Sequence, residues 1–566
     1  MAFYLIGLKP ENVSGVFFRN YLRQWGPLWY YACSSCPDIL THQDDKGGSG
    51  TMIFTLSSPN SVKVPEDSSL DKFRNQNRRF LKTPVPRDAA AAMRPVFFTI
   101  SMLFLLAGCS LAPTFERPDT PMAEKFNVEG LDVSPDSPEI MRLGWRQFFG
   151  DARLNELLSI AIENNRDLRT AIQRVEEARA LYGIQRADQL PSISAGAMGT
   201  RSRVPADLSI TGRSHTSSQY QATLNLSTWE LDFWGRVRNL KDAALESYLA
   251  SEEARRAVQI SLTAQVANVY LLERELDERL NTARQTLATR EESCRIMNRR
   301  YEVGSASKLD AAQSEILLNQ ARLELTELER QREQSHNALT LLAGTPLAPE
   351  SRPLSQIETA FVRGISPGLP SELLLNRPDV LAAEHLLKAA NANIGAARAA
   401  FFPRIALTGD LGSASTDLDG LFGADSLIWS FTPSISLPIF DGGRNQANLD
   451  LAEARRHIAV AEYERTVQGA FREVADALAD RRWIARQVAV QQAIVATQAE
   501  RTRLVNLRYE NGATPYLEVL DAERGRFAAE QVLVQTRRTL LASVVNLYSA
   551  LGGGTIAVKE TETMDN

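Results

Sequence analysis

The sequence predicts a mixed α and β membrane protein made of two tandem copies of one long unit. Three observations carry this. Motifs recur in order at an offset of about 208 residues, four segments alternate apolar and polar residues over the length that crosses a bilayer, and two long stretches almost lack proline.

Composition sets the outer limits. In 566 residues, 63 Lys+Arg stand against 68 Asp+Glu, a net charge of −5 with no basic cluster, so nucleic acid is excluded as the partner. A hydrophobic content of 44% excludes disorder for most of the chain. Cys33, Cys36, Cys109 and Cys294 are too dispersed for a disulfide framework. His42, His215, His336, His385 and His457 lack metal-ligand spacing. No apolar run is long enough for a spanning helix, so any membrane crossing must be made by a β-barrel.

The most apolar stretch, residues 96–106, follows Met93 and Arg94 and precedes Ala107, Gly108 and Cys109. That order is a signal peptide spanning residues 93–108, and Leu106-Ala107-Gly108-Cys109 resembles the bacterial lipobox, whose cysteine becomes the lipidated first residue. A short buried helix that contains a cysteine is the other reading of the segment. A secretion signal works at an N-terminus, so translation is expected to start at Met93. Residues 1–92 are then an extension outside the native chain, and the pair Cys33 and Cys36 within it lacks a second pair to complete a metal site.

The body, residues 109–566, contains the two copies, at about 145–344 and 369–552. Asp167-Leu168 answers Asp379-Val380, Pro191-Ser192-Ile193 answers Pro403-Arg404-Ile405, and Arg300-Tyr301-Glu302-Val303-Gly304 answers Arg508-Tyr509-Glu510-Asn511-Gly512. Each copy reads as helix, strand, strand, long helix, helix. The strands form hairpins at about 192–231 and 404–440. Tyr220, Ala222, Leu224 and Leu226 alternate with polar residues, as do Trp429, Phe431, Ile435, Leu437 and Ile439. Their length suits a tilted membrane strand, with Trp229 and Trp429 as interfacial aromatics; a soluble sandwich edge is the other reading. Four strands cannot close a membrane barrel, so the membrane reading requires several chains to pool their strands.

In the first proline-poor stretch, Leu262, Val266, Val269, Leu272, Leu276, Leu280, Ala283 and Leu287 recur at helical spacing and predict a packed seam. Gly304 and Gly512 end the two long helices. Ser307 before Asp310, and Thr514 before Pro515, are expected to start the returning ones.

The lipobox, the duplicated Arg-Tyr-x-x-Gly tips and the segment Pro438-Ile439-Phe440-Asp441-Gly442-Gly443-Arg444 together resemble the TolC family of outer-membrane efflux channels, in its lipid-anchored OprM/NodT-like branch. The resemblance implies a homotrimer in outer-membrane lipid, with a 12-stranded β-barrel continued by a long periplasmic α-helical barrel. It implies two protein partners, a periplasmic membrane-fusion adaptor and an inner-membrane RND-type transporter. It implies no cofactor beyond covalent lipid on Cys109. By the same resemblance the adaptor-docking tips are Val303, Gly304 and Ser305 with Asn511, Gly512 and Ala513. The periplasmic gate falls on Leu517, Asp521 and Arg524, which share a helical face, with Asp310 as the counterpart in the first copy. An ordinary solvated pair is the other reading of Asp521 and Arg524. Thr514 stands where some family members carry a basic residue that bonds across the gate.

No nucleophile and base constellation, nucleotide loop or metal cluster points to an enzyme. The alternative to an export duct is a lipid-anchored periplasmic coiled-coil scaffold or adaptor, which would share the helices but would not need the strands.

Overall fold

The computed structural model describes residues 110–119, 143–358 and 376–554. Residues 1–92, the segment 93–108 and Cys109 lie outside the described residues. The unit Ala112–Asn566 holds every element described.

Helices α1 (Trp145–Phe148), α2 (Ala152–Asn164) and α3 (Arg166–Ala187) lead into strands β1 (Ile193–Val204) and β2 (His215–Glu230). Helices α4 (Arg236–Glu302) and α5 (Lys308–Ala343) follow. The order then recurs as α6 (Pro378–Ala399), β3 (Arg404–Ser415), β4 (Leu427–Ser436), α7 (Arg444–Glu510) and α8 (Tyr516–Ala550). Helices α4 and α7 have 67 residues each and begin 208 residues apart. At the α-helical rise each is about 100 Å long. Carboxylates supply acceptors at both starts: Arg238 N donates to Asp232 Oδ2 at 2.7 Å and Asn445 N to Asp441 Oδ2 at 2.9 Å.

The four strands form one antiparallel sheet in the order β1, β2, β3, β4. Its register sorts the side chains, because residues paired across strands share a face. One row joins Ala195, Leu224, Leu411 and Trp429, and the row below it joins Ile193, Leu226, Gly409 and Phe431. On the opposite face Ser194, Asn225, Asp410 and Ser430 make a polar row. A bulge between Leu226 and Trp229 lets Trp229 pair with Leu407, which keeps the indole on the apolar face despite the odd spacing. Nothing described in the chain covers that face: Leu224, Leu411, Phe431 and Trp429 are 51 to 71% exposed.

Strand β4 stops at Ser436, so the alternation expected to run on through Ile439 is longer than the strand. Pro438 has no N–H for the ladder, and Pro433 is tolerated because β4 lies at the sheet edge.

The main core lies away from the sheet, where Phe148, Leu154 and Leu158 pack against Val266 and Leu271 of α4 and Val545 and Leu551 at the end of α8. Phe148 stacks on Tyr548 with ring centroids 4.3 Å apart. In the seam of α4, Leu262, Val266, Leu276, Leu280 and Ala283 are buried, while Val269, Leu272 and Leu287 are partly so. Beside this core Arg274 is fully buried between Glu273 (3.3 Å) and Asp277 (3.4 Å) and donates to the Glu350 carbonyl at 3.0 Å. Arg332 of α5 reaches Glu273 and Asp277 at 3.2 Å, so the charges tie α4, α5 and the segment after α5 together.

Candidate functional site

The two helical hairpins end in tips of the same geometry. Val303 and Asn511 close α4 and α7, and Gly304 and Gly512 follow with φ of 78° and 71°. In this left-handed region a side chain would be strained. The reversed chain then satisfies the last carbonyls: Gly304 N donates to Tyr301 O and Gly512 N to Tyr509 O, both at 3.0 Å. Ser305 N donates to Arg300 O and Ala513 N to Arg508 O, both at 2.8 Å. Arg300 Nη1 also donates to Tyr509 Oη at 2.7 Å, so the duplicated Arg-Tyr dipeptide joins one tip to the other. Val303 is 64% exposed and no atom would meet a Cβ added at either glycine, which leaves both turns open to solvent.

The starts of the returning helices differ. Ser307 and Asp310 cap α5 reciprocally, with Asp310 N donating to Ser307 Oγ at 3.1 Å and Ser307 N to Asp310 Oδ2 at 3.2 Å. Asp310 is thus engaged at its own helix start. The expectation that Thr514 helps to start α8 fails. Pro515 takes the cap position with extended backbone and supplies no side-chain bond, and the Thr514 hydroxyl is buried without a hydrogen-bond partner.

Leu517, Asp521 and Arg524 line one groove with Arg501 of α7 and with Gln313 and Ile316 of α5. Asp521 accepts from Arg524 on its own helix at 2.8 Å and from Arg501 on the neighbouring helix at 2.6 Å. Those two guanidinium bonds, Arg501 first, hold the Asp521 carboxyl below its ordinary range. Sequence reasoning selected Asp521 and Arg524 but missed Arg501. The signal was available: Arg501 and Asp521 stand at nearly equal distances on either side of Gly512, so an antiparallel return brings them level.

Two further bonds lock the same region. Thr502 Oγ1 donates to the Ala522 carbonyl at 3.2 Å, and Arg290, buried on α4, pairs with Glu523. Helix α8 is therefore held to both long helices within one turn of Asp521. The arrangement is an ionic clasp beside a partly apolar groove, chemically suited to hold helices together or to present charge to passing ions. Among the described residues no group of three metal-ligating side chains occurs, and no helix is long and apolar enough to cross a membrane.

The family model "Outer membrane efflux protein" matches residues 157–345 and 369–553. The chain is similar to outer membrane protein OprJ of Pseudomonas aeruginosa, at 46% identity over 82% of this chain and 97% of the relative. It is 45% identical to the probable efflux pump outer membrane protein TtgC of Pseudomonas putida, over 80% of this chain and 94% of the relative. Among solved structures, the open state of the MtrE outer membrane channel of Neisseria gonorrhoeae superposes with a TM-score of 0.72 at 40% identity. That match covers 79% of this chain and 99% of the other.

Proposed function

The chain belongs to the outer membrane efflux protein family and is an outer-membrane efflux channel; on that premise we propose that it works as a homotrimer, the passive exit duct of a tripartite pump. The observation that carries this is the sheet. It has four strands, one uncovered apolar face and two open edges, β1 and β4. Unpaired edges are not tolerated in lipid, and four strands are too few to close a barrel. Three copies supply 12 strands, with the apolar face toward lipid and the polar row of Ser194, Asn225, Asp410 and Ser430 toward water. The long helices then continue the duct through the periplasm.

The relative TtgC is named for an efflux pump, and the corresponding partners here are a periplasmic membrane-fusion adaptor and an inner-membrane RND-type transporter that supplies the energy. The adaptor meets the exposed tips at Val303, Gly304, Ser305, Asn511, Gly512 and Ala513. Three copies of the clasp at Leu517, Asp521 and Arg524, with Arg501, close the periplasmic end until the adaptor splays the tips. Asp310 serves as a helix cap in this reading. Lipid on Cys109 adds a membrane anchor, with each acyl CH₂ contributing about 0.8 kcal/mol of membrane affinity.

The test is single-channel conductance of the mature chain from Cys109 in a planar bilayer, together with its oligomer mass. Trimers with small, cation-sensitive openings are expected. A monomer that never inserts overturns the duct and favours a lipid-anchored scaffold.

A further inference from the structure

The first strand hairpin is longer than the second, and the excess carries a charge pattern that the duct does not use. Strand β3 makes its last pairing at Ser415, opposite Tyr220, while β1 and β2 continue through Arg201 with Ser218 and Arg203 with Thr216 to Val204 with His215. Positions 193, 195, 197, 199, 201 and 203 of β1 share a face by period two, so Arg201 and Arg203 extend the apolar column of Ile193, Ala195 and Ala197. The positions between them, Thr200 and Ser202, carry no charge, and neither do their partners Gln219 and Ser217. The basic charge at this level of the strand is therefore confined to the face that points away from the water path.

We propose that Arg201 and Arg203 bind phosphate groups on the headgroups of outer-leaflet lipid. The inference rests on reading the sheet as a membrane barrel. The apolar rows run from the level of Ile405 to that of Tyr220, which pairs with Ser415, the upper ones being carried by Ala197, Ala222 and Leu427 beside Ser413; that is about 33 Å along the strand and roughly 23 Å of height at a barrel tilt, close to the ~25 Å apolar band of such barrels. Tyr220 tops that band, its ring packed over Gly199, at the depth where interfacial aromatics sit. Arg201 and Arg203 lie two and four residues further out, about 5 and 9 Å higher at the same tilt, which is headgroup depth.

Both arginines are exposed, and among the described residues no carboxylate pairs with either. Their cross-strand neighbours Ser218 and Thr216 are short hydroxyl side chains that leave the guanidinium forks free and can donate to the same oxygens. A planar fork matches a phosphate bidentately, and two forks spaced by one pleat repeat suit a lipid with more than one phosphate.

The experiment uses the full mature trimer and the variant R201Q/R203Q in detergent micelles. Affinity is measured for an acylated, diphosphorylated glucosamine-disaccharide glycolipid and for its dephosphorylated form, with inorganic phosphate titrated in parallel. Two arginines near an anionic lipid surface predict a preference of about thirtyfold for the phosphorylated form. The variant is expected to lose that preference while retaining normal conductance. A variant that keeps the preference overturns the proposal. Inorganic phosphate binding the parent as tightly as the glycolipid overturns it too, by assigning the site to a free anion. A parent chain that forms no conducting channel overturns the barrel reading beneath it, a result distinct from either.

Discussion

Replacing Arg501 with Ala removes the guanidinium that joins α7 to Asp521 of α8 and leaves the bond from Arg524 on Asp521's own helix. The two partners are 45 and 46% exposed, so solvent screening limits the pair to roughly 0.2–1 kcal/mol. A middle value of about 0.7 kcal/mol changes the ratio of open to closed states about threefold in one chain. If three symmetric clasps open together, the contributions multiply to about thirtyfold. The assay is open probability of the purified channel in a planar bilayer at low salt. Raising the salt to about 1 M shortens the screening length to about 3 Å and should bring parent and variant together. Acidification supplies a second axis. Asp521 is held below its ordinary value of 3.8, so its bonds contribute fully above that pH and are lost only as pH falls through the lowered value. The parent should therefore resist acid opening through the ordinary aspartate range, and the Arg501→Ala channel should open at a higher pH. Equal low-salt open probabilities, with equal acid transitions, would refute the clasp.

The remaining predictions concern the scaffold and the anchor. Gly304→Ala should cost about 1 kcal/mol, from its left-handed backbone alone, and should speed hydrogen exchange at the tip without unfolding the chain. Gly344→Ala combines a φ of 68° with a Cβ placed 2.4 Å from the Asn164 carbonyl oxygen, so chemical denaturation should show a larger loss, of about 2–4 kcal/mol. Arg274→Ala removes one of the two guanidiniums shared by the buried Glu273 and Asp277 and leaves Arg332 with both, so it should destabilise by about 1–3 kcal/mol, read by the denaturation midpoint; no measurable loss would show that the cluster is open to water. Cys109→Ala should abolish acyl labelling and impair sorting more than folding, and correct placement of the unlabelled chain would argue against a sorting role.

Local pattern made much of this molecule readable. A strand with one apolar and one polar face must alternate, and a hundred-ångström helix must avoid proline, so both leave marks in consecutive residues. The tips were readable for the same reason, since a left-handed turn at Gly304 and Gly512 demands glycine in place. The expectation for Thr514 failed because two neighbouring residues competed for one cap, and Pro515 with its fixed φ took it.

By itself the sequence determined the duplicated order of elements, the amphipathic strands and the glycine reversals, because each depends on residues within a few positions of one another. Only the tertiary structure decided that Arg290 of α4 meets Glu523 of α8, that Arg300 bonds Tyr509 from the other hairpin, and that β2 pairs with β3 in one sheet. Those partners are chosen by how the hairpins and helices pack, and packing relates residues by distance in space, which periodicity along the chain does not encode.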